Sequence, residues 1–137
     1  MKYLLDTNTC IRYLNGRSPS VLTKLDSIPE IEVCVCSIVK LELRYDALRS
    51  NAIAKTLAQQ ETFLDRFISL PFDDKAQIHA AEIRANLAKM GTPIGPYDLL
   101  IAAIARANNL ILVTHNTREF RRVTNLKIED WEAKDSL

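Results

Sequence analysis

The chain has 137 residues, with 18 Lys and Arg against 17 Asp and Glu and a formal net charge of +1. That length fits one core of ordinary size, and 47 % apolar with 26 % charged residues is a globular balance that argues against disorder. Near-neutrality excludes a polycation that coats nucleic acid by bulk charge. The longest apolar run, Leu99–Ala105, falls far short of the about 20 residues of a membrane span.

The N-terminal stretch before Asp6 is too short and too soon charged for a signal-peptide core. Cys10, Cys34 and Cys36 cannot all pair within one chain, and Cys34-Val35-Cys36 lacks zinc-ligand spacing. They read as reduced, structural thiols of a cytoplasmic protein.

In chain order, Lys2–Leu5 reads as a strand ending at Asp6. Asn8 to Leu14 reads as a helix closed by Asn15-Gly16, and Pro19–Leu25 as a second, with Pro at its start. Glu32–Cys36 is β-rich and leads to Ser37, an expected N-cap for a helix over Ile38–Arg49. Ile53, Leu57, Leu64 and Phe67 recur at helical spacing. Ile68–Phe72 reads as a brief strand. Asp73 or Asp74 then caps a helix whose apolar face is Ala76, Ala80, Ile83, Leu87 and Met90. After the loop Gly91–Gly95, Pro96 opens a helix to about Asn108. Leu110–Val113 is an all-apolar strand of the kind buried on both faces, and a last short strand is expected near Lys127–Ile128. Strands alternating with helices predict a single α/β domain over residues 1–137: a parallel, doubly wound sheet of four to five strands sandwiched between helices. Ligands in such sheets sit outside the carboxyl ends of the strands, where strand order reverses.

Several acids are then brought to that edge. Asp6 ends the first strand and serves equally well as a helix N-cap. Glu42 has Ile38, Val39, Tyr45 and Asp46 as its neighbours three and four residues away. With no cation among them, it requires a partner from outside its helix. Asp98 stands in the first turn of the Pro96 helix, where the dipole favours a carboxylate but where a βα unit also approaches Asp6. Asn116 and Glu119 follow the buried strand. Glu119 has Arg122 three residues on as an alternative ion-pair partner, Asn116 reads also as a turn residue, and Thr114 offers a hydroxyl at the strand end. Two carboxylates about 4 Å apart repel by roughly 4 kcal/mol at an effective dielectric of 20, against a whole-domain stability of about 5–15 kcal/mol. Several ionised acids sharing an edge therefore require protonation or a cation. Mg²⁺ is the natural ion, and Mn²⁺ suits the same ligands.

The blocks Leu4-Leu5-Asp6-Thr7-Asn8, Ser37 through Glu42, Gly95-Pro96-Tyr97-Asp98 with Ile101-Ala102, and Val113-Thr114 with Asn116, Glu119 and Phe120 occur in that order. Together they resemble the PIN-domain ribonucleases, and within them the VapC toxins of bacterial type II toxin–antitoxin pairs. The resemblance implies a PIN-like fold and an endoribonuclease that binds Mg²⁺ or Mn²⁺ through Asp6, Glu42 and Asp98. It implies Glu119 as the fourth acid, where many relatives carry Asp at the place of Asn116, with Asn8, Thr114 and Asn116 in support. It also implies a cognate VapB-type antitoxin, a homodimer, operator DNA reached only through the antitoxin, and no membrane. The stretch Gly91–Asp98 is similar to toxins that cut transfer RNA in the anticodon stem-loop, initiator tRNA included, so tRNA is the expected substrate and inhibition of translation the expected outcome.

Arg12, Arg17, Arg118, Arg121 and Arg122 flank the expected edge and are candidates for phosphate contacts; Tyr97 is a candidate for stacking on a splayed base. His79 and His115 have no metal-like spacing and receive no catalytic role. Hydrolysis by water would leave a 5′-phosphate and a 3′-hydroxyl. Two other readings stand beside this one. A phosphohydrolase with Asp6 as covalent nucleophile wants a second Asp at position 8, where this chain has Asn8. A non-catalytic module would use the acids only to accept a partner's arginines.

Overall fold

The computed structural model describes residues 1–136, the side chains of residues 134 and 136 excepted. The five strands are β1 (Tyr3–Leu5), β2 (Val33–Cys36), β3 (Ile68–Leu70), β4 (Ile111–Val113) and β5 (Lys127–Glu129). All pair in parallel, in the spatial order β3-β2-β1-β4-β5. The chain steps from β1 to one side through β2 and β3, then returns to the other side with β4 and β5. Strand order therefore reverses between β1 and β4, with Leu5 beside Val113 at the carboxyl ends.

The helices among the described residues are α1 (Thr7–Asn15), α2 (Pro19–Asp26), α3 (Ser37–Leu48), α4 (Ile53–Leu64), α5 (Asp74–Lys89), α6 (Pro96–Ala107) and α7 (Thr117–Phe120), with short 3₁₀ turns at Glu30–Glu32 and Ala133–Ser136. Asp6 caps α1, and Gly16 ends it at φ +70°, a left-handed conformation that glycine adopts without a Cβ clash. Ser18 caps α2 and Asp73 caps α5 through side-chain oxygens. β1, β2 and β4 are the middle strands. Leu4, Leu5, Val33 to Cys36, Leu112 and Val113 are buried among them, as expected for a sheet covered on both faces. The edge strands β3 and β5 keep partly exposed residues. Cys10, Cys34 and Cys36 are all buried free thiols.

Local departures from the sequence reading have physical causes. Ser37 is not the cap of α3: β2 runs straight into the helix, extended Cys36 takes the cap position, and the Ser37 hydroxyl reaches towards the Leu70 carbonyl at 3.4 Å. Phe67 lies beyond α4 and packs edge-on against Phe63, with centroids 5.2 Å apart. Met90 ends α5 as its C-cap and is exposed, whereas Ala76, Ala80, Ile83 and Leu87 are buried as their spacing predicts. α7 is a single turn, too short to leave a periodic signal.

The chain after β5 folds back across α2. Trp131 packs edge-on against Tyr3 with centroids 5.2 Å apart. The Ser20 hydroxyl donates to the Trp131 carbonyl, and the Ser18 hydroxyl donates to Asp135. Among the described residues no helix is long and apolar enough to cross a membrane.

Candidate active site

Asp6, Glu42 and Asp98 line one cleft of about 740 Å³. Asp6 reaches it from the end of β1, Glu42 from the middle of α3, and Asp98 from the first turn of α6. Three segments far apart in sequence meet there because β1 and β4 hold the centre of the sheet and their carboxyl ends open at the switch point.

Asp6 is 5 % exposed. Its Oδ1 accepts the Thr9 backbone N–H at 2.8 Å, so capping and site placement are properties of one carboxylate. Burial raises its proton affinity above the ordinary range, hydrogen bonds from Thr114 and Thr9 oppose that, and the charge of Glu132 adds to it. Glu42 finds the external partner its helix lacks: the Thr7 hydroxyl donates to Glu42 Oε1 at 2.6 Å. The Asp98 carboxyl is pushed up to about 6, first by desolvation and then by the charges of Glu42, Asp6 and Glu119. All four acids are thus within electrostatic reach of one another. Gly95 is the residue that leaves room for this: a Cβ there would stand 3.3 Å from Asp98 Oδ2.

Glu119 does not pair with Arg122 among the described ion pairs. It accepts instead from the Asn116 side-chain amide at 3.1 Å, while the Asn116 backbone N–H donates to Thr114 Oγ1 at 3.0 Å. Asn116 and Thr114 thus tether Glu119 to the end of β4. Asn8 is exposed and lines the cleft beside Thr7.

The cleft-lining groups able to hold a cation are oxygen donors: the carboxylates of Asp6, Glu42 and Asp98, a fourth carboxylate, Asp46, that is paired with Arg49, the Asn8 amide and the Thr7 hydroxyl. That donor chemistry fits a hard divalent ion that keeps part of its water. Among the described residues, no three His, Cys, Asp or Glu side chains gather at coordination range of one point. The carboxylates share a volume, and like charges facing one volume hold apart unless a cation balances them.

The flanking arginines divide. Arg12 is committed to Glu132, with Nε 3.3 Å from Oε1, which removes it from the free phosphate contacts. Arg17, Arg118 and Arg121 are exposed and Arg122 is half-buried. His79 accepts from Arg106 Nε at 2.8 Å, and His115 Nδ1 lies 3.1 Å from Asp130; neither lines the cleft. Thr7, Arg44, Tyr45 and Glu132 were missed as site neighbours. Thr7 was signalled only by its place inside Asp6-Thr7-Asn8, and Glu132 comes from a segment with no periodic pattern.

A PIN-domain family model matches residues 3–126. The chain is 42 % identical to the tRNA(fMet)-specific endonuclease VapC of Salmonella typhimurium, over 96 % of this chain and 98 % of that protein. It is 40 % identical, at the same coverages, to ribonuclease VapC2 of Haemophilus influenzae. Among solved structures, the DNA-bound VapBC of Salmonella typhimurium superposes with a TM-score of 0.91, at 41 % identity over 96 % of this chain and 98 % of that one. VapBC2 of Rickettsia felis bound to a promoter fragment follows, with a TM-score of 0.89 at 34 % identity over 96 % and 99 %. A PIN sheet with acids at its switch point, and relatives of this identity along nearly the whole chain, lead to one conclusion: the chain belongs to the VapC family of PIN-domain ribonucleases, the toxins of VapBC toxin–antitoxin systems.

Proposed function

We propose that residues 1–137 act as one cytoplasmic domain that hydrolyses phosphodiester bonds in tRNA, the initiator tRNA anticodon stem-loop being the first target. The same reading has the chain work as a homodimer, restrained by a cognate VapB-type antitoxin that also supplies contact with operator DNA. The observation that carries the catalytic reading is the meeting of Asp6, Glu42 and Asp98 in one cleft, with Glu119 close enough to raise Asp98.

Asp6 and Asp98 would hold Mg²⁺ directly, with Mn²⁺ able to substitute. Glu42 would hold it directly or through water, and Glu119, outside the cleft lining but close enough to act on Asp98, would be the fourth acid. A divalent ion there lowers the pKa of a water and balances charge on the phosphodiester. The chain's own residues prepare the place. Thr7 fixes the Glu42 rotamer, Asn116 fixes Glu119, and the Asp6 backbone N–H donates to the Val113 carbonyl at 3.1 Å, locking the floor. Arg118 on α7 and Arg121 and Arg122 just after it supply positive charge beside Glu119 in sequence, where phosphates can be held without reading bases. The substrate assignment draws on the relative named for tRNA(fMet).

The test is cleavage of purified initiator and elongator tRNAs by the purified protein, with end sequencing. The expected result is one cut in the initiator anticodon stem-loop, a 5′-phosphate product, loss with EDTA, return with Mg²⁺ or Mn²⁺, and at least about a hundredfold loss in Asp6→Ala and Asp98→Ala. Cleavage that persists in EDTA, or in both variants, defeats the assignment.

A further inference from the structure

The chain's four tyrosines fall into two kinds. Tyr3 is buried edge-on against Trp131, and Tyr13 packs against Phe63 while its hydroxyl donates to Asp26. Tyr45 and Tyr97 are 56 % and 45 % exposed, and neither makes a side-chain hydrogen bond among the described residues. Both line the cleft that holds Asp6, Glu42 and Asp98. Tyr45 stands one helical turn beyond Glu42 on α3, and Tyr97 immediately precedes Asp98 on α6. Each exposed ring is therefore carried by a different helix and tied in sequence to a different carboxylate.

A cation sits with one of these rings. The Arg49 guanidinium lies 4.5 Å from the Tyr45 ring centre but is paired with Asp46 at 3.2 Å, whereas Arg44, with no ion pair among the described residues, lines the cleft itself. Exposed aromatic faces beside positive charge form a platform that suits single-stranded nucleic acid, because every base has a face to stack and every linkage a charge to hold. A nucleotide presents its base beside its phosphate, so a phosphate brought to the carboxylates carries its neighbouring bases towards these rings. A duplex keeps its bases stacked inside and cannot offer them.

We propose that Tyr45 and Tyr97 stack the two unpaired bases that flank the scissile phosphate, and that this grip makes the cleft select splayed, single-stranded RNA. The proposal rests on the ribonuclease reading above. It adds to that reading two specificity-determining residues and a conformational requirement on the substrate, with no demand on base identity.

The experiment measures steady-state cleavage of an anticodon stem-loop RNA by the full chain with Mg²⁺, after the cut is mapped. The same RNA is then made with abasic residues on either side of the cut. Tyr45→Ala and Tyr97→Ala should each raise KM roughly 5- to 150-fold with kcat moved much less, the range expected for one lost base–aromatic stack. Tyr45→Phe and Tyr97→Phe should restore what alanine loses, since a phenyl face stacks and a hydroxyl is not required. The abasic RNA should cost the native protein a similar factor and cost the alanine variants little more. Both residues are exposed, so thermal melting should show the alanine variants folded. Equal KM for native and alanine proteins overturns the proposal while leaving the ribonuclease reading intact, as do losses from alanine and from the abasic RNA that simply multiply. So does a result in which alanine abolishes capture of a VapB-type antitoxin but leaves RNA cleavage unchanged, since the rings then serve a protein surface. Absence of any cleavage by the native protein overturns both readings together.

Discussion

Asp98 carries opposing demands. Its carboxyl, pushed to about 6 from an ordinary 3.8, holds its proton because burial and three other acids disfavour the charge. Without metal, the folded form therefore keeps a proton between about pH 4 and pH 6 that the unfolded chain has released. Stability then falls as pH rises through that window and levels off above about pH 7. Asp98→Asn should remove this slope and stabilise the metal-free protein near neutrality by on the order of 1–2 kcal/mol, once solvent screening is allowed for. Urea melts in EDTA at mildly acidic and neutral pH check it, and a destabilised Asp98→Asn protein would contradict the electrostatic account. Adding Mg²⁺ should stabilise the native chain and not the variant, and its affinity should fall as pH drops below about 6, where Asp98 must lose a proton to bind. The site is a place where folding free energy is given up for chemistry.

At the scale of an element, α1 and α3 are joined at the cleft by one short hydrogen bond, from Thr7 to Glu42. Thr7→Val keeps the shape and removes the donor. Glu42 then regains rotamer freedom, and Mn²⁺ affinity should fall about 10- to 100-fold, as for other groups that orient a ligand. Global stability should change by no more than about 1 kcal/mol. Calorimetric titration with Mn²⁺ beside a thermal melt separates the two effects, and unchanged affinity would remove Thr7 from the site.

The same elements show what was legible beforehand. The apolar strands and the helical spacing of Ala76, Ala80, Ile83 and Leu87 gave their elements away because burial imposes a period. The need of Glu42 for a distant partner was readable from its neighbours, though not that Thr7 would be that partner. Ser37 was misread because capping preference describes a loop-to-helix junction, and here a strand enters the helix directly. α7 was missed since four residues hold no period, and with it the tether between Asn116 and Glu119. The commitment of Arg12 to Glu132 joins residues 120 positions apart across a tail that follows the last strand, and no local pattern announces such a contact.

Across the whole molecule, that tail is a structural part of the fold. Trp131, the chain's one tryptophan, is buried against Tyr3 of the central strand, and Ser18 and Ser20 hold the following turn. Trp131→Ala should cost about 3–5 kcal/mol, the range for emptying a large aromatic site, a large part of a typical domain's stability. It should also lower activity near the melting range by loosening the end of β1. Circular dichroism melts measure this, and a loss below about 1 kcal/mol would reduce the tail to a surface appendage.

The strand order carries a consequence for timing. β1 is made first, yet its neighbour across the switch point is β4, and 104 residues separate Thr9 from the Val113 carbonyl it binds. A nascent chain cannot close the floor beneath Asp6 until most of its length has been translated, and pairings of such long range form slowly. Assembly of the cleft is thus postponed towards the end of synthesis, and a short nascent chain carries its acids without the pocket that unites them.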